Sequence, residues 1–167
     1  MIWLRTLVFA LTFVATVLVL VPRWIVGPAG RAHVATGSAL YVALVLIGAG
    51  AALMIWCWYE FATRGRGTPL PLDPPRRLVV VGPYRHVRNP MYVAGLLVLV
   101  GQATLYRAPG LLWYAVAFAV STHLFVVGYE EQTLRRRFGA DYDAYRTAVR
   151  RWIPRVQPYD GVGGDRR

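Results

Sequence analysis

The chain has 167 residues, 56% hydrophobic and 16% charged, and its formal charge of +11 comes from nineteen Arg and no Lys. The apolar residues fall in long uncharged blocks, which excludes an ordinary soluble domain. The arginines sit just outside those blocks, which argues against a nucleic-acid-binding surface and for a positive-inside membrane distribution.

Span one is expected from about Trp3 to Trp24. Arg5 and Arg23 bracket a charge-free core, and the two tryptophans fit interfacial anchors. A cleaved signal peptide is the competing reading, against which the run is long and lacks a small-x-small site directly after it. Residues 22–33 read as a short turn punctuated by Gly27, Pro28 and Gly30. Span two is expected over 34–61, with Gly48 and Gly50 allowing close helix packing. Cys57, the only cysteine, lies in this span, so neither a disulfide framework nor a cysteine metal site is expected.

The long connection, 63–89, holds Arg64, Arg66, Arg76, Arg77, Arg85 and Arg88 and prolines at 69, 71, 74, 75 and 83, which forbid a continuous helix. Leu78 to Val81 is a short apolar run suited to extended structure. Span three is expected over 90–106, opening with Pro90, whose missing N–H costs nothing in a first helical turn. Arg107-Ala108-Pro109-Gly110 reads as a turn. Span four is expected over 111–129, closed by Glu130-Glu131.

The tail, 130–167, places Leu134, Phe138, Tyr142 and Tyr145 on one helical face, with Gly139 a possible break and arginines interleaved. That is the pattern of an amphipathic helix at an anionic membrane surface. Residues 161–167 read as disordered. The expected fold class is therefore an all-α membrane protein in one domain, with about four transmembrane helices, a polar loop and an amphipathic C-terminal helix. Four spans put both termini and the loop on one side, which carries sixteen of the nineteen arginines; that side is expected to be cytoplasmic. The absence of Lys fits codon bias in a GC-rich genome and suggests a bacterial plasma membrane.

The segment Gly82-Pro83-Tyr84-Arg85-His86-Val87-Arg88-Asn89-Pro90-Met91-Tyr92 leads an Arg-dense loop straight into span three, and topology brings Glu130-Glu131 to the same side. Acids at a helix C-terminus oppose the helix dipole and need a compensating reason, either a ligand or pairing with arginines. His123 lies seven residues before Glu130, two turns along one helix and roughly 10 Å deeper. An ionisable residue at that depth is a functional candidate, and a packing hydrogen bond is the alternative.

The spacing Gly-x-Tyr-x-x-x-Arg-Asn-Pro-x-Tyr over 82–92, followed by Glu130-Glu131, Phe138-Gly139, Tyr142 and Tyr145, resembles the isoprenylcysteine carboxyl methyltransferase and phospholipid methyltransferase superfamily. The resemblance covers roughly residues 76–155 and implies an integral membrane methyltransferase of the isoprenylcysteine carboxyl methyltransferase type, though not with that substrate, using S-adenosyl-L-methionine. It implies cofactor binding by Arg76, Arg77, Leu78 and Val79, largely through backbone, and by Tyr84, Arg88, Asn89, Pro90, Met91, Tyr92 and Glu130. His123 and Glu131 are then the candidates for catalysis on a lipophilic or lipid acceptor, a carboxylate or an amine head group; no metal is implied.

Two departures bear on substrate. Asn89 stands where isoprenylcysteine enzymes typically carry His, and Val126 stands where their eukaryotic members place a substrate-touching arginine. The rival readings are an NADPH-dependent membrane reductase of the sterol-reductase type, for which the chain is short, a non-catalytic accessory protein and, more weakly, a small transporter.

Overall fold

The computed structural model describes residues 11–12, 14–31, 33–60, 63 and 78–161. All regular structure among them is helical. A π-helical turn, Thr16–Leu20, leads into α1 (Val21–Arg31); α2 spans Ser38–Glu60. A 3₁₀ turn, Gly82–Arg85, precedes α3 (Pro90–Leu105) and α4 (Pro109–Phe125). A second π-helical turn, Val126–Glu130, joins α4 to α5 (Glu131–Phe138), and α6 spans Ala140–Ala148.

Among the described residues, two helices are long and apolar enough to cross a membrane: Ser38–Glu60, and the continuous rod Pro109–Phe138 of 30 residues. At about 1.5 Å per residue they measure about 35 and 45 Å, against a hydrocarbon core of about 30 Å. The apolar stretches Thr16–Gly30 and Pro90–Leu105 are shorter. With 16 residues α3 reaches only about 24 Å, which calls for local thinning of the bilayer or for snorkelling flanks.

Three expectations need correction. The turn expected over 22–33 is a single break at Gly27 (φ 64°, ψ 178°), after which helix resumes at Pro28. Glu130 and Glu131 do not close span four; the helix runs through them to Phe138 and ends at Gly139 (φ 51°). The apolar face of the tail is not left for lipid. Tyr142, Tyr145 and Val149 are buried and pack against Leu78, Val80, Leu134, Phe138, Ala148 and Tyr159. Residues 3–10 and 13 of span one lie outside the described residues, as do residues 162–167 of the end expected to be disordered.

The chain forms two compact units, Met1–Ala52 with Ala94–Val120, and Leu53–Val93 with Ser121–Arg167. In the first, small residues set helix spacing. A Cβ on Gly50 would come within 2.7 Å of the Ala94 carbonyl oxygen, and one on Gly101 within 2.7 Å of Ile47 Cγ1, so α2 and α3 meet backbone to backbone at the first point and side chain to backbone at the second. Gly48, the other glycine expected to pack, has nothing within 4 Å of that position. Two polar side chains of this unit donate to backbone carbonyls of the first π turn: Gln102 Nε2 to Leu18 O at 2.8 Å and Tyr114 Oη to Val17 O at 3.0 Å. An apolar bilayer offers such carbonyls no other partner.

In the second unit, residues 149–161 cross the loop 78–89 as a strap. Arg88 N donates to Arg150 O at 3.0 Å, Arg155 N to His86 O at 2.9 Å and Tyr159 N to Arg85 O at 3.0 Å, so the two segments run antiparallel. Side chains reinforce the pairing: Arg85 Nε donates to Tyr159 O at 2.9 Å, His86 Nδ1 lies 2.9 Å from Arg155 O, and Arg85 also pairs with Asp160.

Candidate active site

The first turn of α3, the second π turn and the strap converge within the second unit. Pro90 is buried at the first helical position, and Asn89 caps the helix from outside, its carbonyl accepting from Val93 N at 3.2 Å. Its side chain is occupied elsewhere: Asn89 Nδ2 donates to Arg151 O at 3.2 Å, tying the strap to the head of α3. An uncharged amide suits that contact, since a carbonyl needs only a donor. Met91 is half-buried in the same turn.

One turn on, Tyr92 Oη donates to Glu130 Oε2 at 3.1 Å. Glu130 ends the π turn, whose wider coil interrupts the α-helical register between it and His123. The contacts linking these two residues run through other side chains. The Tyr92 ring meets the Trp152 ring edge-on, with centroids 6.3 Å apart, and Trp152 Nε1 donates to His123 Nδ1 at 3.1 Å. Glu130, Tyr92, Trp152 and His123 thus form one continuous polar–aromatic line.

Glu131 belongs to a different set. Its carboxylate takes Arg151 bidentately, Nε at 2.6 Å and Nη2 at 3.0 Å, and Arg88 Nη1 at 3.0 Å. The Arg88 and Glu131 side chains are 11% and 13% exposed, so this pair is largely desolvated, while Arg151 at 30% keeps part of its hydration. Hydrogen bonding to Glu131 raises the Arg151 pKa above its ordinary value. Arg88 also donates to Tyr142 Oη at 3.3 Å, and its Nε is buried with no hydrogen-bond partner.

Tyr84 lies close enough to Glu130 for that carboxylate's charge to add to the rise of its phenol pKa, behind burial as the main cause. It is buried, its hydroxyl bonds the Cys57 thiol, and its carbonyl accepts from Tyr145 Oη at 2.7 Å. Burial pushes the Tyr84 phenol well above its ordinary pKa, and burial likewise raises Tyr142 and Tyr145. Beneath Tyr84, Gly82 (φ 52°) lies against the Glu60 carboxylate; a Cβ there would sit 2.7 Å from Oε1. Leu78 and Val80 pack on the Tyr142–Tyr145–Val149 cluster, and Val79 between them is half-buried. Arg76 and Arg77 lie outside the described residues.

Of the residues singled out from sequence, Tyr92 and Glu130 touch directly, Arg88 and Glu131 touch directly, and Asn89 joins the strap. Trp152, Arg151, Cys57 and Glu60 were missed. Trp152 follows two arginines and precedes Pro154, a stretch without helical period, and its one signal is an aromatic residue in a tail too ordered in composition to be a mere charged end.

The family model described as phospholipid methyltransferase matches residues 38–141. No curated protein and no solved structure gives a significant match. The matched stretch contains Arg88, Tyr92, His123, Glu130 and Glu131 and stops before the strap that carries Arg151 and Trp152.

Proposed function

The chain belongs to the phospholipid methyltransferase family, and from that premise we propose that it is an S-adenosylmethionine-dependent methyltransferase acting on a lipophilic acceptor within the membrane. The observation that carries this reading is the Tyr92–Glu130 pair at the head of a membrane helix, beside an Arg88 whose buried Nε has no partner. A buried donor without an acceptor is costly unless a ligand supplies one.

The donor set fits that cofactor. Its amino-acid head carries both charges and its ribose carries a diol, so it calls for a carboxylate and for N–H donors. Glu130 would take the ammonium or the diol, with Tyr92 holding the carboxylate in place. Arg88 Nε would donate to the carboxylate of the head, while Glu131, engaged by Arg88 and Arg151, fixes the Arg88 side chain. Backbone at Arg76, Arg77, Leu78 and Val79 and apolar contact from Pro90 and Met91 would complete the slot. Asn89 and Tyr84 would act through backbone placement, since their side chains bond Arg151 O and Cys57.

When bound, the cofactor supplies an activated methyl group on a sulfonium, so the chain's task is alignment and exclusion of water rather than activation. His123 and the Trp152 ring would face the acceptor. A carboxylate acceptor needs no base; an amine acceptor must lose a proton. The excess of arginine on the loop and tail side orients this site toward the cytoplasm of a bacterial plasma membrane.

The test is calorimetric titration of S-adenosylmethionine and S-adenosylhomocysteine into detergent-purified protein, wild type against Glu130→Ala and Tyr92→Ala. Binding by the wild type that is lost in both variants is expected. A folded wild type that binds neither ligand would sink the reading.

A further inference from the structure

The three histidines of this chain divide by hydrogen-bond partner. His33 Nδ1 lies 3.0 Å from Ala29 O and His86 Nδ1 lies 2.9 Å from Arg155 O. A carbonyl only accepts, so both rings carry their proton on Nδ1. His123 is the reverse case. Its Nδ1 receives the Trp152 indole N–H at 3.1 Å. An indole nitrogen only donates, so His123 Nδ1 is bare and the neutral ring holds its proton on Nε2.

Trp152 is itself tightly held. The residue before it, Arg151, is bidentate on Glu131, and its carbonyl accepts from Asn89. Arg155, three residues on, is bonded through its backbone N–H to His86. The indole edge rests on the Tyr92 ring, whose hydroxyl is committed to Glu130. A strap pinned on both sides thus delivers one N–H to one imidazole nitrogen.

We infer that Trp152 is a positioning residue that locks His123 as an Nε2–H hydrogen-bond donor, so that His123 holds an oxygen of the methyl acceptor and does not serve as a general base. With Nδ1 occupied by Trp152 and Nε2 already protonated, the neutral ring has no open lone pair with which to take a proton. The one nitrogen left for an acceptor, Nε2, is a donor. The part of this inference that concerns the acceptor rests on the methyltransferase reading above; the tautomer does not.

Two measurements test it. The first uses protein labelled with ¹⁵N in its histidines, in detergent, at a pH where the imidazoles are neutral. Long-range proton–nitrogen spectra should show two Nδ1–H rings and one Nε2–H ring. The Nε2–H pattern should vanish in His123→Gln and turn into a tautomer mixture in Trp152→Phe, with His86 still Nδ1–H as the sign that the strap remains docked. A His123 found as Nδ1–H in the wild type overturns the inference, and so does a Trp152→Phe protein whose His123 signals are unchanged. The wild-type spectrum decides the tautomer even if Trp152→Phe fails to fold.

The second follows tritium from methyl-labelled S-adenosylmethionine into solvent-extractable material in membrane vesicles carrying the protein. Gln places an N–H near the position of Nε2 but takes no proton at neutral pH. His123→Gln should stay within about threefold of wild type while His123→Leu falls about tenfold to a hundredfold, the loss of one hydrogen bond to the acceptor. Equal loss in both variants, with cofactor binding retained, would restore the general-base role and overturn the donor role. A wild type that does not bind the cofactor would remove the acceptor half of the inference along with the proposed function, while leaving the tautomer result standing.

Discussion

Replacing Glu131 with alanine leaves Arg88 without its ion partner in a place where its side chain is only 11% exposed. Its Nη1 keeps a single long hydrogen bond, to Tyr142 Oη at 3.3 Å, and its Nε has none in the described structure. Stranding a buried charge costs about 3 kcal/mol. Arg151, 30% exposed, can turn toward solvent, and its loss adds no more than about 1 kcal/mol. The damage travels along identifiable contacts. Arg88 bonds Tyr142, Tyr142 stacks with Tyr145 at 6.3 Å, Tyr145 bonds the Tyr84 carbonyl, and the Tyr84 hydroxyl bonds Cys57. Cys57 is fully buried and is the only cysteine, so its reaction with a thiol-specific dye reads the opening of this unit directly. When opening is fast compared with labelling, the rate follows the open population, and about 3 kcal/mol corresponds to a rise of about a hundredfold. Glu131→Gln keeps the shape and one acceptor oxygen and should label at an intermediate rate. If Glu131→Ala labels at the wild-type rate and melts at the wild-type temperature, the Arg88–Glu131 pair is solvated in practice and the argument from its burial is wrong.

Gly82→Ala should destabilise by about 2 kcal/mol, because the residue sits at φ 52° and its new methyl would meet the Glu60 carboxylate; thermal melting equal to wild type would refute this. Gly101→Ala should lower the melting temperature in detergent by forcing α3 off Ile47, whereas Gly48→Ala, with open space around it, should leave it nearly unchanged; the reverse order would contradict the packing. Tyr84, Tyr142 and Tyr145 have phenol pKa values raised in the folded chain above the unfolded value of about 10. The stability they contribute is therefore whole below about pH 10 and is lost as pH climbs above it toward the folded values. The phenolate absorbance missing from Tyr145→Phe relative to wild type should appear only together with loss of the helical circular dichroism signal, and its appearance at about pH 10 in a still-helical protein would refute the burial of Tyr145.

What the sequence made legible follows local chemistry. Pro90 sets the start of α3 because only a first turn tolerates it, and Gly139 ends α5 because the chain needs positive φ there. Tyr142 and Tyr145 share a buried face as their spacing requires, although the surface they meet is Leu78 and Val80 rather than lipid. Periodicity shows that a face is apolar and is silent on what covers it. The acidic pair misled for a related reason: hydropathy marks where polarity returns, not where helix stops, so Glu130-Glu131 read as an end in the middle of a 30-residue rod. The π turn before them has no residue-type signature. Glu131 finds its partners at Arg88 and Arg151, 43 and 20 positions away in the numbering, and no spacing rule selects those two among nineteen arginines.

The strap has a consequence for biosynthesis. Among the described residues every apolar helix precedes residue 139, so all of them are synthesised before residues 150–159. Until those residues emerge, the amide of Arg88 and the carbonyls of Arg85 and His86 lack the partners described above, and of its two arginines the Glu131 carboxylate has only Arg88. The helices are thus made before the segment that clasps their loop. A chain cut short after residue 148 would keep every apolar helix described here while lacking Trp152 and the clasp on its loop.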